Sequence, residues 1–228
     1  MNLTLIRRPQ LILFDLDDTL VGSTEIYQKC YQDMKLDMAL FNEAKTWIKT
    51  NLGSAHVSNH QRFLYFKRYL ELKSQFSPEA LLKMISHYEE LLQSYMREQW
   101  ILLQRAALFF ELKKQYRLAL VTNETARTQV IKLNALDPKN EFFEFMITSE
   151  EIGVEKPDQK IFAEIFRRAQ LKPEDSLMIG DSVSNDLKPL KAMGAQVIGT
   201  REFLQPESLE SFIWVQDLND ILNPLSSI

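Results

Sequence analysis

The sequence predicts an α/β protein with a Rossmann-like parallel sheet core, helices on both faces of the sheet, and an inserted α-helical cap domain. Short apolar runs recur along the chain and end abruptly in polar residues. The later intervals between these runs carry amphipathic helix patterns, and strand-helix-strand repetition builds a parallel sheet covered on both faces. Between the first run and the second lie about a hundred residues of mostly helical patterning, far more than a simple crossover needs.

The first strand is Leu11-Ile12-Leu13-Phe14, a buried run whose carboxyl end breaks into acidic and turn-forming residues. Further strands are expected at residues 118–121, 143–147, 177–179 and 196–198. A helix is expected over residues 158–170, because Ile161, Phe162, Ile165, Phe166 and Ala169 share one side while Lys160, Glu164 and Arg168 do not. Pro157 is placed where a first helical turn tolerates it.

The long interval predicts helices near residues 24–52, 61–73, 78–96 and 102–115, of which only the last belongs with the sheet. The expected division is a core domain of residues 1–21 and 101–228 and a helical cap of residues 22–100. Phe63, Phe66 and Leu70, with Leu64 and Tyr65 beside them, read as a core-facing stripe. No Gly/Ser/Pro-rich linker interrupts the interval, so the cap is expected to pack on its parent domain.

The 228 residues are 45% hydrophobic and 25% charged, the balance of a folded globular chain. A net charge of -4 gives no overall attraction to nucleic acid or to an anionic membrane. Cys30 is the single cysteine and closes no intramolecular disulfide. The basic pair Arg7-Arg8 follows a very short apolar run, the reverse of a secretory signal's order, and no run approaches the roughly 20 apolar residues of a membrane span. A cytoplasmic protein is expected, with neither a nucleic acid polymer nor a membrane as partner.

Chemistry concentrates where the strands end. Phe14-Asp15-Leu16-Asp17-Asp18-Thr19-Leu20 places three carboxylates directly after the first strand, where open parallel sheets bind ligands. An acidic turn with Asp18 or Thr19 capping a helix would look the same in isolation. The second strand ends in Thr122-Asn123, a hydroxyl and an amide suited to phosphate oxygens, and Lys156 lies between the third strand and a helix. Gly180-Asp181-Ser182-Val183-Ser184-Asn185-Asp186 follows the fourth strand, with Asp181 the better metal ligand and Asp186 a ligand, cap or brace. Asp15, Asp17, Asp18, Asp181 and Asp186 would crowd one edge, with Lys156 the only cation among these motifs. A hard divalent cation relieves that crowding, and oxygen ligands without Cys or His favour magnesium over zinc.

These four segments, in this order and on these strands, resemble the haloacid dehalogenase superfamily, from about Leu11 to Gly199. The resemblance implies a phosphatase with an early-inserted helical cap that acts on a small phosphate monoester. Asp15 would be the nucleophile that becomes an aspartyl-phosphate, and Asp17 the general acid and base. Thr122 and Asn123 would hold phosphoryl oxygens, and Lys156 would neutralise charge and orient Asp15. Mg2+ would sit on Asp15, the backbone carbonyl of Asp17, and Asp181, with Asp186 supporting that shell.

Two departures stand out. Similar proteins often carry Pro-Gly where this chain has Leu103-Gln104, suggesting a different path from cap to core, and a glycine where it has Glu124, an extra acid expected to narrow the substrate range. Asp17 argues against a dehalogenase, whose ester intermediate needs no proton donor for an alkoxide. A phosphomutase or phosphotransferase of the same fold remains an alternative, as does a non-catalytic regulatory module. Substrate choice is expected to involve the polar cap loop of residues 51–62, through His56, His60 and Arg62, against the plain reading of a solvated loop.

Overall fold

The computed structural model describes residues 5–53, 56–205 and 212–225. One parallel sheet is built from β1 (Leu11–Phe14), β2 (Arg117–Thr122), β3 (Phe145–Thr148), β4 (Ser176–Gly180), β5 (Gln196–Thr200) and β6 (Ile213–Val215). The strand order is β3-β2-β1-β4-β5-β6. Phe14 pairs with Leu120 of β2 and with Ile179 of β4, so β1 lies at the centre of the sheet and the order reverses beside it. Connections from the two sides diverge there and leave a crevice at the carboxyl ends of the strands.

Side-chain alternation along the strands supplies both faces. Ile12, Phe14, Leu118, Leu120, Leu177 and Ile179 join one apolar cluster. Their neighbours Leu11, Leu13, Ala119, Val121 and Met178 join a second, with Ile161, Phe162, Ile165, Phe166 and Ala169. Those five residues are the buried side of α8 (Gln159–Ala169), as the 3.6-residue period requires. Asp158 caps this helix by accepting from Lys160 N at 2.8 Å, so Pro157 precedes the cap and does not occupy the first turn as expected. β3 begins two residues late, because Phe143 turns into the core against Phe14 and Phe109. The short edge strand β6 was not foreseen.

The insertion between β1 and β2 is helical: α1 (Ser23–Asp33), α2 (Met38–Leu52), α3 (Arg62–Leu72) and α4 (Pro78–Leu102). The single helix expected over residues 24–52 is two, broken where Lys35 takes φ 52° and Asp37 caps α2 by accepting from Ala39 N and Leu40 N. No Gly or Pro marks that break. It lets Tyr31 of α1 pack on Phe41 of α2 with ring centroids 4.7 Å apart, beside Phe66 and Tyr88. Of the expected core stripe in α3, Tyr65, Phe66 and Leu70 are buried but Phe63 is 40% exposed.

Residues 100 and 101, the expected handover from cap to sheet, lie in the last turn of α4, and Trp100 stacks on Phe109 at 5.3 Å. Gln104 then takes φ 53°, a left-handed conformation that glycine adopts without strain, and leads into α5 (Arg105–Leu112), shorter than the expected 102–115. The next residue, Arg105, is fully buried and donates to Leu20 O at 3.3 Å and to Glu202 Oε2 at 2.5 Å. It ties the returning chain to the loop after β1. Beyond β2 come α6 (Ala126–Leu136), α7 (Ser149–Ile152), α8 and, after a π-helical turn, α9 (Lys188–Ala192). Among the described residues no helix is long and apolar enough to cross a membrane.

Candidate active site

Seven of the residues singled out in the sequence come to one crevice. Asp15, Asp17, Thr122, Asn123, Lys156, Asp181 and Asp186 line a cavity of about 310 Å3 at the carboxyl end of the sheet. β1 delivers Asp15 and β4 delivers Asp181, side by side because those strands are neighbours. Asp15 is 5% exposed, Lys156 4% and Asp186 1%, so their charges meet away from bulk water. Leu204 and Gln205, which follow β5, also line the cavity and went unnoticed in the sequence.

Lys156 Nζ donates to Asp15 Oδ1 at 2.7 Å, to Asp186 Oδ1 at 2.6 Å and to Val121 O at 3.1 Å, using its three protons. Burial would lower its pKa, but the two carboxylates hold it well above the usual lysine value. Asn123 fixes the Lys156 backbone, donating to Lys156 O at 2.9 Å and accepting from Lys156 N at 2.6 Å. The side-chain amide of Asn123 is thus engaged in bracing. Asp186 also accepts from Ser182 N at 3.3 Å, so it braces the loop while touching the lysine. Gly180 is required beneath it, since a side chain there would meet Asp186 Cγ at 2.7 Å.

Asp15, Asp181 and Asp186 offer carboxylate oxygens within 4.8 Å of one another. Burial pushes the Asp15 pKa up, and Asp186 and Asp17 add to this against the opposing pull of Lys156. Asp181 is pushed up by burial, then by Asp15 and Asp186. Its carboxylate accepts from Thr19 Oγ1 at 3.2 Å. One ammonium against three close carboxylates leaves two negative charges in excess, and this all-oxygen donor set suits a hard divalent cation.

Asp17 departs from the expected picture of a carboxylate free in an acidic crowd. It accepts from Lys132 Nζ at 2.5 Å, Gln129 Nε2 at 2.7 Å and Tyr27 OH at 3.1 Å. Burial alone would raise its pKa, but Lys132 and the hydrogen bond from Gln129 hold it well below the usual carboxylate range. Lys156 is therefore not the only cation at this edge. The sequence reading missed Lys132 and Gln129, although a signal existed: on α6 they occupy buried positions with Thr128, Ala135 and Leu136, where an amphipathic helix normally puts apolar side chains. Asp18 leaves the cluster, its carboxylate accepting from Thr24 N at 2.9 Å and Thr24 Oγ1 at 2.5 Å at the start of α1. Asp18 thus satisfies a first-turn N–H of α1 from the preceding loop, while the N-cap position itself is Gly22.

Glu124 faces a partner from the insertion. Arg62 of α3 forms an ion pair with Glu124, and its guanidinium lies 4.2 Å from the centre of the Tyr27 ring. The extra acid is thus neutralised. His56 accepts from Ser58 N at 3.1 Å within a 3-10 turn, and His60 lies 3.3 Å from Glu155 Oε1. None of His56, His60 and Arg62 lines the cavity that holds Asp15. Ser54 and Ala55 of that loop lie outside the described residues.

The family model described as haloacid dehalogenase-like hydrolase matches residues 12–200. The chain belongs to that family. Its curated relatives include a glyceraldehyde 3-phosphate phosphatase of Pyrococcus furiosus, 29% identical over 202 residues that cover 84% of this chain and 80% of that protein. A ribulose-1,5-bisphosphate 5-phosphatase of Halopiger xanaduensis is 27% identical and covered to 82%, as is this chain. Among solved structures, the HAD-hydrolase YfnB of Bacillus subtilis bound to magnesium superposes with a TM-score of 0.65 at 22% identity, covering 96% of this chain and 99% of that one. A 2-haloacid dehalogenase of Pseudomonas syringae gives 0.66 at 18% identity, covering 96% and 99%. At such identities the structures share the fold. This haloacid dehalogenase-like hydrolase carries its helical insertion between β1 and β2, and its curated relatives in the family include phosphatases.

Proposed function

We propose that this hydrolase is a magnesium-dependent phosphatase that cleaves a small phosphate monoester through an aspartyl-phosphate on Asp15. The observation that carries the reading is the pairing of buried Asp15 with Lys156 at 2.7 Å, in a cavity that Asp17 also lines. A carboxylate fixed by an ammonium keeps its orientation while retaining a second oxygen for attack. The relatives named as phosphatases support the same chemistry.

In the first half-reaction an Asp15 oxygen attacks phosphorus, the bond from phosphorus to the ester oxygen breaks, and the leaving oxygen takes a proton from Asp17. In the second, Asp17 accepts a proton from water, the resulting hydroxide attacks the same phosphorus, and the acyl-phosphate bond breaks to return the Asp15 carboxylate and release phosphate. Lys132 beside Asp17 favours the carboxylate, the form the second half needs, so the first half requires Asp17 to take up a proton from solvent before it acts as the acid. Thr122 and backbone amides after β2 would hold phosphoryl oxygens, while Lys156 would offset charge developing at Asp15. Asp15, Asp181 and the Asp17 carbonyl would hold magnesium, supported by Asp186, and the ion would supply positive charge to neutralise the phosphoryl group.

A cavity of about 310 Å3 suits a sugar phosphate or organic-acid phosphate, at the low end of small-molecule sites. The test is release of inorganic phosphate from p-nitrophenyl phosphate and from a panel of sugar, organic-acid and nucleoside phosphates, with magnesium and with EDTA. Metal-dependent release is expected. Turnover unaffected by EDTA, or transfer of the group to another substrate hydroxyl without phosphate release, would overturn the reading.

A further inference from the structure

We propose that Lys132 and Gln129, on one buried face of α6, act as a two-point clamp that positions Asp17 for proton transfer and aims the Thr122 hydroxyl at the phosphoryl group. The inference rests on the phosphatase reading above and deepens it.

Lys132 is 0% exposed, and its ammonium contacts Asp17 Oδ1 at 2.5 Å with the Tyr27 ring centre 5.0 Å away. A lysine enclosed in a core is rare unless its charge is paired. Its ion-pair partner here is a residue facing the cavity. Gln129 is also 0% exposed, and its side-chain nitrogen donates both to Asp17 Oδ2 and to Thr122 Oγ1, each at 2.7 Å. An ionised carboxylate only accepts, so the nitrogen, and not the oxygen, of the amide must face Asp17.

Two consequences follow for chemistry. With Oδ1 on Lys132 and Oδ2 on Gln129, rotation of the Asp17 carboxylate breaks at least one strong contact, so its reach into the cavity is set by α6. Thr122 Oγ1 accepts from Gln129, which turns its own proton away from that helix and leaves it to donate to an anionic oxygen. The amide oxygen of Gln129 is buried with no partner, a cost that a purely packing role would remove with Leu or Met.

The test uses the full chain with magnesium, p-nitrophenyl phosphate as a substrate with a good leaving group, and glycerol 3-phosphate as one with an alkoxide leaving group. Lys132→Met is expected to lower kcat about 10- to 100-fold, more for glycerol 3-phosphate, with KM nearly unchanged. Lys132→Arg should recover part of the loss. Added to Asp17→Asn, Lys132→Met should cause no further loss, because the lysine acts through that carboxylate. Gln129→Met should raise both KM and the inhibition constant of inorganic phosphate. Full additivity of Lys132→Met with Asp17→Asn, wild-type kcat in Lys132→Met, or unaltered phosphate inhibition in Gln129→Met would overturn the clamp. If thermal unfolding shows that Lys132→Met fails to fold, Lys132→Arg and Gln129→Met decide the matter by the same readouts. Wild-type protein that hydrolyses neither substrate and is not phosphorylated on Asp15 by acetyl phosphate would instead overturn the phosphatase reading, and the clamp with it.

Discussion

Arg62, the first residue of α3, is ion-paired with Glu124, two residues beyond the end of β2, and this contact joins the inserted helices to the carboxyl end of the sheet. The side chains are only 10% and 3% exposed. Through the Tyr27 ring that Arg62 covers, and the Tyr27 hydroxyl that donates to Asp17 at 3.1 Å, the insertion also reaches a site carboxylate.

Arg62→Ala should therefore destabilise the protein by about 3–5 kcal/mol, because it leaves Glu124 buried and unpaired. Arg62→Ala with Glu124→Ala should recover much of that loss. Urea unfolding of the wild type, both single variants and the double variant measures the coupling, and simple additivity would contradict it.

Asp15→Asn should abolish phosphate release while leaving the fold intact, since the amide is nearly isosteric but is not an anionic nucleophile. Asp17→Asn should slow steady-state turnover about 100- to 10,000-fold, and more for alkoxide than for aryl leaving groups. Rapid-quench measurement of phosphorylated enzyme separates the two: none in Asp15→Asn, accumulation from an aryl phosphate in Asp17→Asn.

Chelation should stop turnover and magnesium should restore it. Calcium should restore little, because its larger radius and higher coordination number misalign Asp15. Asp181→Ala should raise the magnesium concentration needed for half-maximal activity, as read from metal titrations of the initial rate. Full activity in EDTA would contradict the assignment.

Burial pushes the Cys30 thiol up to about 12. The folded state therefore binds this proton more tightly than the unfolded chain, so the associated stability is intact below the ordinary thiol pKa of about 8.5 and is lost as pH rises toward the folded value. Native protein at pH 8 should resist alkylation by iodoacetamide and react once unfolded in urea. In Cys30→Ala the alkaline decline in thermal midpoint should be shallower than in the wild type.

The sequence by itself determined the sheet class, five of the six strands, the helical insertion and the strand ends from which seven of the residues lining the crevice come. Apolar runs and their polar ends are local signals, and parallel neighbours carry those ends to one edge whatever else the chain does. The tertiary structure decided what lay in long-range pairing. The break between α1 and α2 has no Gly or Pro to mark it and follows from aromatic packing of Tyr31 on Phe41. Asp18 chose Thr24 over the cluster, and Glu124 met Arg62 from 62 positions away. Lys132 found Asp17 across 115 positions, because the face that α6 buries depends on what the helix packs against, and one sequence read alone does not contain that surface.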